Sequence, residues 1–226
     1  MRVIDLDLLD YRSAWAKQEE IHAVVLGGGE ETLLLVEHPP TITYGRRAQE
    51  SAGHLLATPS QLQNMHVEVV PSDRGGDITF HGPGQIVAYP IIRLADHGLS
   101  VGAYMKHLQQ AVVEALRTFH VEAKLEPASP GVWVEDRSHG GEPAKVAAVG
   151  VRVRRGVTMH GLALNVEPDL AFFELIIPCG LERPVTSLRR LLGTRAPSME
   201  AVKEVLAGTL VERLGTMRAG YQGTDD

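Results

Sequence analysis

One cysteine, Cys179, occurs in the 226 residues. Pro178 before it and Gly180 after it favour a turn that exposes the sulfur, and an exposed thiolate is a strong nucleophile toward an acyl group. An unpaired cysteine is as well suited to being a small buried hydrophobe. Lys145 is the more unusual companion. It lies in Glu142-Pro143-Ala144-Lys145-Val146-Ala147-Ala148-Val149-Gly150, where small and apolar neighbours suit burial of a long charged chain. An ammonium beside Cys179 would stabilise the thiolate, and desolvation would ease its own deprotonation, so the pair would relay protons without a histidine. The plain alternative is a strand-edge lysine whose head reaches water.

Two histidines are chemically suggestive. His81 stands beside Gly82-Pro83-Gly84 and His160 precedes Gly161-Leu162-Ala163. Each either orients a reacting group or satisfies a hydrogen bond in the core. Their spacing makes no zinc set with the lone cysteine, and no metal or cofactor is expected. Arg74-Gly75-Gly76 is followed by Asp77 and lacks the phosphate-loop spacing that ends in Lys-Ser/Thr, which argues against a nucleotide. Its glycines instead let the backbone come close to an extended acyl chain, with Ile78 and Phe80 offering apolar contact, or simply make a turn.

The elements that must position these residues alternate in type. Residues 10 to 26 have helical spacing and run into Gly27-Gly28-Gly29. Thr32 to Glu37 reads as a buried strand closed by Pro39-Pro40, and Thr41 to Tyr44 as extended chain. Further strands are expected at Val67 to Val70, Ile86 to Ile92, Val132 to Val134, Val146 to Arg152 and His160 to Val166. Ser100 is placed to cap a helix from Val101 to about Phe119, whose apolar stripe is Tyr104, Leu108, Val112, Ala115 and Phe119. Asp169 to about Ile177 predicts a brief helix, and Ser198 caps a last one carrying Val202, Leu206, Leu210 and Leu214. Helices among many short strands predict a mixed α/β (α+β) fold with a central sheet flanked by helices. The length suits a single domain over 1–226, with a small C-terminal lobe at 186–226 as the variant.

A formal charge of -6 provides no global attraction for phosphate backbones or anionic lipid, so neither nucleic acid nor membrane is an expected partner. Arg46-Arg47, Arg152 with Arg154-Arg155, and Arg189-Arg190 are basic clusters that are either solvated surface or a docking face for an acidic partner. Acids interrupt the start, MRVIDLDLLDY, and no long apolar stretch occurs, which reads as a cytoplasmic chain.

In order along the chain, Glu37-His38-Pro39-Pro40, Gly45-Arg46, the run from Arg74 to Gln85 (RGGDITFHGPGQ), Lys145, His160-Gly161-Leu162-Ala163-Leu164-Asn165-Val166 and Pro178-Cys179-Gly180 make the sequence resemble the bacterial lipoyl(octanoyl) transferase family. The resemblance spans most of the chain and implies a fold related to biotin and lipoate ligases. It implies transfer of an octanoyl group from octanoyl-acyl-carrier protein to a lysine of a lipoyl domain of 2-oxoacid dehydrogenases or of glycine cleavage H protein. Cys179 matches the residue that carries the acyl thioester and Lys145 its activating partner. Arg74, Gly75, Gly76, Asp77, Ile78, Thr79, Phe80 and His81, then Ala148, Val149 and Gly150, then Gly161, Leu162 and Ala163 match substrate-binding segments. The rival readings are an ATP-dependent lipoate or biotin protein ligase and a non-catalytic acyl-carrier or protein-recognition module.

Overall fold

A computed structural model describes residues 1–47, 53–126, 129–136, 140–177 and 183–220, with side chains up to 215. Cys179, with Pro178 and Gly180, lies outside the described residues.

The chain forms a mixed α/β fold around two sheets. The larger has seven strands in the order β1 (Arg2–Leu8), β2 (Thr32–Glu37), β6 (Gln85–Ile91), β10 (Val157–Asn165), β9 (Pro143–Arg154), β8 (Ser129–Glu135) and β7 (Ala123–Glu126). Only β1 and β2 run parallel; the other neighbours are antiparallel. The smaller sheet is β4 (Glu68–Pro71), β3 (Thr41–Tyr44) and β5 (Ile78–His81).

The unbroken apolar run of β2 has a simple cause: both faces of the strand are covered. Leu33 and Leu35 point into a core with α3 (Val101–Thr118) and α5 (Met199–Gly220), while Leu34 and Val36 face α1 (Tyr11–Leu26). A strand covered on both sides reads as a continuous hydrophobic run, because its alternation no longer separates core from water. Asp10 caps α1 by accepting from the Ser13 amide at 2.9 Å, and Ser100 caps α3 through the Ala103 amide at 3.2 Å. Ser198 does the same for α5 through Ala201 at 3.3 Å. Val202, Leu206, Leu210 and Leu214 of α5 are buried in the same core as α3 and the large sheet, as is Leu188 of α4 (Leu188–Leu192).

The small sheet has a core of its own, in which Ile42, Phe80 and Ile176 pack with Leu62 of α2 (Pro59–Asn64). The brief helix expected from Asp169 is a 3-10 segment, Leu170–Leu175, with Asp169 accepting from the Ala171 amide at 3.0 Å. No helix among the described residues is long and apolar enough to cross a membrane.

Candidate active site

A cavity of about 70 Å3 is lined from β5, β6, β9 and β10, where the two sheets meet. Space for a water centre is roughly 10 to 15 Å3, so the cavity has several times the room that one water needs. Arg74, Gly76, Asp77, Ile78, Thr79 and His81 line one side; Lys145, Ala148, Val149 and Gly150 line another; Gly161, Leu162 and Ala163 complete it. Three segments distant in sequence thus converge on one space.

Two residues of those segments stand behind the wall. Gly75 leans on β9, its amide donating to the Val151 carbonyl at 2.9 Å. A Cβ on Gly75 would come within 2.8 Å of that oxygen, and a Cβ on Gly150 within 2.8 Å of the Gly75 oxygen, so the loop touches the strand only because both residues lack side chains. Phe80 turns away into the small core, stacked on Phe172 at 4.8 Å, because alternate residues of β5 point to opposite faces. Arg74 braces the loop: its guanidinium donates to the Thr43 hydroxyl (3.0 Å), the Thr43 carbonyl (2.7 Å) and the Gly75 carbonyl (3.0 Å).

The floor is aromatic. His38 Nδ1–H donates to the Leu9 carbonyl at 2.7 Å, leaving Nε2 to accept from the Tyr89 hydroxyl at 2.9 Å. Burial pushes this imidazole down to about 4. His160 Nε2 donates to the Asp73 carboxylate at 2.7 Å and Nδ1 faces the Tyr11 hydroxyl at 3.4 Å. Burial, then the Arg74 and Arg152 guanidiniums, bring it to about 3 against an opposing pull from Glu19; Arg152 pairs with the same Asp73 carboxylate. His81 is held well below its ordinary range, first by burial and then by His38, and donates from Nδ1 to Gln85 Oε1 at 2.7 Å. Tyr11 stacks on both His81 and His160. Tyr11, Tyr89 and the neutral rings of His81 and His160 line the cavity.

From His81 a polar chain crosses the sheet toward Lys145. Gln85 Nε2 donates to Asn165 Oδ1 at 2.8 Å, and Asn165 Nδ2 donates to the Thr186 carbonyl at 3.0 Å. Lys145 is buried, 9% exposed. Its amide donates to the Pro184 carbonyl at 2.9 Å. Before residue 178 the chain is tied as well: the Ile177 amide donates to the His54 carbonyl at 2.8 Å, and His54 pairs with Asp77 at 2.5 Å. The described chain on both sides of Cys179 is therefore anchored at this cavity.

Tyr11, Tyr89, Gln85 and Asn165 have no role in the sequence-based reading of the site. Gln85 and Asn165 fall inside the motif runs, where that signal was available; Tyr11 and Tyr89 look like ordinary core residues of a helix and a strand. The basic clusters are largely matched by carboxylates of the same chain: Arg152 with Asp73, Arg154 with Glu19, Arg189 with Glu167 and Arg190 with Asp136. Arg46 and Arg47 are exposed, beside the Arg74–Gly76 loop to which their amides donate.

The lipoyl protein ligase A/B catalytic domain family matches residues 10–211. An octanoyltransferase of Chloroflexus aggregans is 44% identical over 211 residues, covering 92% of each chain. One from Roseiflexus is 46% identical over 213 residues, covering 93% of this chain and 85% of that one. A bi-partite lipoate protein ligase from Thermoplasma acidophilum has the same fold, with a TM-score of 0.75 at 15% identity over 97% of this chain and 90% of that one. With the family match running through β2, the glycine-rich loop, Lys145 and the β10 motif, the chain belongs to the octanoyltransferase family, within the wider lipoyl protein ligase A/B catalytic domain family.

Proposed function

We propose that this chain transfers an octanoyl group from octanoyl-acyl-carrier protein to a lysine of a lipoyl domain, of the kind carried by 2-oxoacid dehydrogenases and glycine cleavage H protein. The acyl group rests meanwhile as a thioester on Cys179. The observation that supports this most is the cavity, lined by Ile78, Ala148, Val149, Leu162 and Ala163, that has the buried Lys145 at the segment following Cys179. The chain acts as a single catalytic domain over 1–226 in the cytoplasm, and the core that α3 and α5 share with the large sheet supports the single domain.

The chemistry is two substitutions at one carbonyl. Cys179 begins as a thiolate paired with the Lys145 ammonium. Its sulfur forms a bond to the octanoyl carbon, the bond to the carrier's sulfur breaks, and Lys145 gives its proton to the departing carrier thiolate. The acceptor amine then forms the C–N bond as the bond to Cys179 sulfur breaks, and the proton lost by the amine returns to neutral Lys145. Thiolate and ammonium are restored. A thioester is already activated, so no ATP is consumed.

Intact-protein mass analysis tests the scheme. Incubation with octanoyl-carrier protein yields an octanoyl adduct on Cys179 that hydroxylamine removes, and that disappears as an added lipoyl domain gains an amide-linked chain. Cys179→Ser abolishes the thioester; undiminished transfer by that variant overturns the covalent route. The fold shared with a lipoate ligase supports a second reading, ATP-dependent ligation of a free acid. Transfer that requires ATP and leaves Cys179 unmodified favours it, and binding of both proteins without transfer favours a recognition module.

A further inference from the structure

Proton transfer by Lys145 requires that its ammonium be held in one place. Trp133 of β8 is the register partner of Lys145 on β9, so the two side chains leave the sheet on one face. The indole is 2% exposed, and its N–H donates to the Ser129 carbonyl at 3.0 Å, which sets the ring's orientation. Lys145 Nζ stands 4.7 Å from the ring centroid, and the Arg183 guanidinium carbon stands 3.8 Å from it. Arg183 is in turn gripped by both oxygens of Glu126. Two residues before Trp133, on the same face, comes Gly131 with a φ of 136°. A Cβ there would lie 3.2 Å from Lys145 Cε and 3.4 Å from Cδ, so the strand offers the lysine stem a gap and then its ammonium a ring.

We propose that Trp133 is a positioning residue for the transfer: its ring holds the Lys145 ammonium and, through Arg183, the chain that leaves the Cys179 segment, giving both a common support. This rests on the reading of Lys145 as the partner of Cys179. An aromatic face attracts a cation by its quadrupole, and a desolvated contact of this kind changes an equilibrium by about twofold to thirtyfold. Two cations on one ring repel each other. Glu126 offsets that repulsion, and its carboxyl is held below the usual range by Arg183 foremost and by Lys145 also. The ring thereby helps to order the lysine stem before substrate arrives, and prior ordering is what makes a proton-transfer partner effective.

Iodoacetamide alkylation across pH, followed by intact mass, reads the thiolate fraction of Cys179 in the full chain without substrate. Trp133→Leu is expected to raise the pH midpoint by about half to one unit and to slow single-turnover octanoylation at neutral pH by about threefold to thirtyfold. Trp133→Phe keeps a smaller aromatic face and is expected to shift both by less. Thermal melting monitors folding; if Trp133→Leu does not fold, the Phe variant carries the test with an expected slowing of about twofold or more. A wild-type midpoint and rate in the folded Trp133 variants overturns the assignment, and a midpoint shift that persists in full when Trp133→Leu, or Trp133→Phe in its place, is added to Lys145→Ala overturns the part that runs through Lys145. Lys145→Ala alone separates the two levels. If it leaves the midpoint unchanged, the pairing of Lys145 with Cys179 fails; if it moves the midpoint and the Trp133 variants do not, only the role of Trp133 fails.

Discussion

The amide of Thr186 donates to the carbonyl of Lys145 at 3.0 Å, so the proposed catalytic lysine is pinned by the chain that follows the nucleophile segment. Thr186 is itself fixed by its hydroxyl, which donates to the buried Asp136 carboxylate at 2.7 Å. Thr186→Val keeps the shape and removes that donor. A buried acceptor that loses a partner costs about 1 to 3 kcal/mol, and urea unfolding at neutral pH is expected to show a loss in that range. Octanoylation of Cys179 is expected to slow with it, since the same strand contact holds Lys145. An unchanged unfolding midpoint with unchanged acylation would separate Thr186 from both roles.

The contact between Gly150 and Gly75 predicts a different signature. Gly150→Ala places a methyl 2.8 Å from the Gly75 oxygen, so the Arg74–Asp77 loop must shift away from β9. Overpacking of this kind costs about 1 to 3 kcal/mol. Because that loop walls the cavity, part of the cost is expected to appear as a rise in KM for the octanoyl donor of about tenfold. Steady-state kinetics at varied donor concentration check this; a fall in kcat at constant KM would place the loop's role in the chemical step.

Acid is expected to destabilise the protein through its buried neutral histidines. His38 titrates near 6.5 when unfolded and at about 4 when folded. Between those values the unfolded chain binds the proton and the folded one does not, so stability falls as pH drops from about 6.5 to about 4 and levels off below. His160 adds a similar loss that continues to about 3. For His38 the difference amounts to about 3 kcal/mol. His38→Gln offers an amide N–H to Leu9 and an amide oxygen to the Tyr89 hydroxyl without titrating. Its urea midpoint is expected to be flatter between pH 6.5 and 4 than that of the unsubstituted chain; parallel curves would show that His38 is not the group responsible.

What the sequence made legible follows from the range of the interactions concerned. Ser100, the stripe from Tyr104 to Ala115, and Ser198 with its leucines are local signals, and the helices lie where those signals put them. The strand β5 was hidden because Ile78 to His81 sits inside a glycine-rich run that reads as a turn, although pairing with β3 makes it a strand. β1 was hidden by Asp5 and Asp7, which break an apolar pattern that its mostly exposed place at the sheet edge does not require. At the site, glycine and small-residue motifs marked the walls, whereas the floor depends on partners far apart in sequence, such as Tyr11 with His160 and Gln85 with Asn165. No local spacing encodes those pairs. Phe80 shows the converse: its motif points to the cavity, but strand alternation sends the ring to the other core.

Val87, Ala163 and Ala148 stand abreast across β6, β10 and β9, and all three line the cavity. Two of the three are alanines, so this rung leaves passage for a chain where larger residues would close it. Ala148→Leu adds three carbons at the rung and is expected to obstruct an octanoyl chain while leaving the far side of the cavity unused. Each buried methylene is worth about 0.8 kcal/mol. Excluding the four outer methylenes or methyl groups of octanoyl would thus lower its transfer rate by about a hundredfold or more. A butanoyl donor has four fewer carbons to pass the rung and is expected to lose no more than about threefold. Competition between octanoyl and butanoyl donors, read by acceptor mass, measures the ratio. A uniform loss for both donors would mean that the rung supports the fold of the cavity and does not gauge the chain.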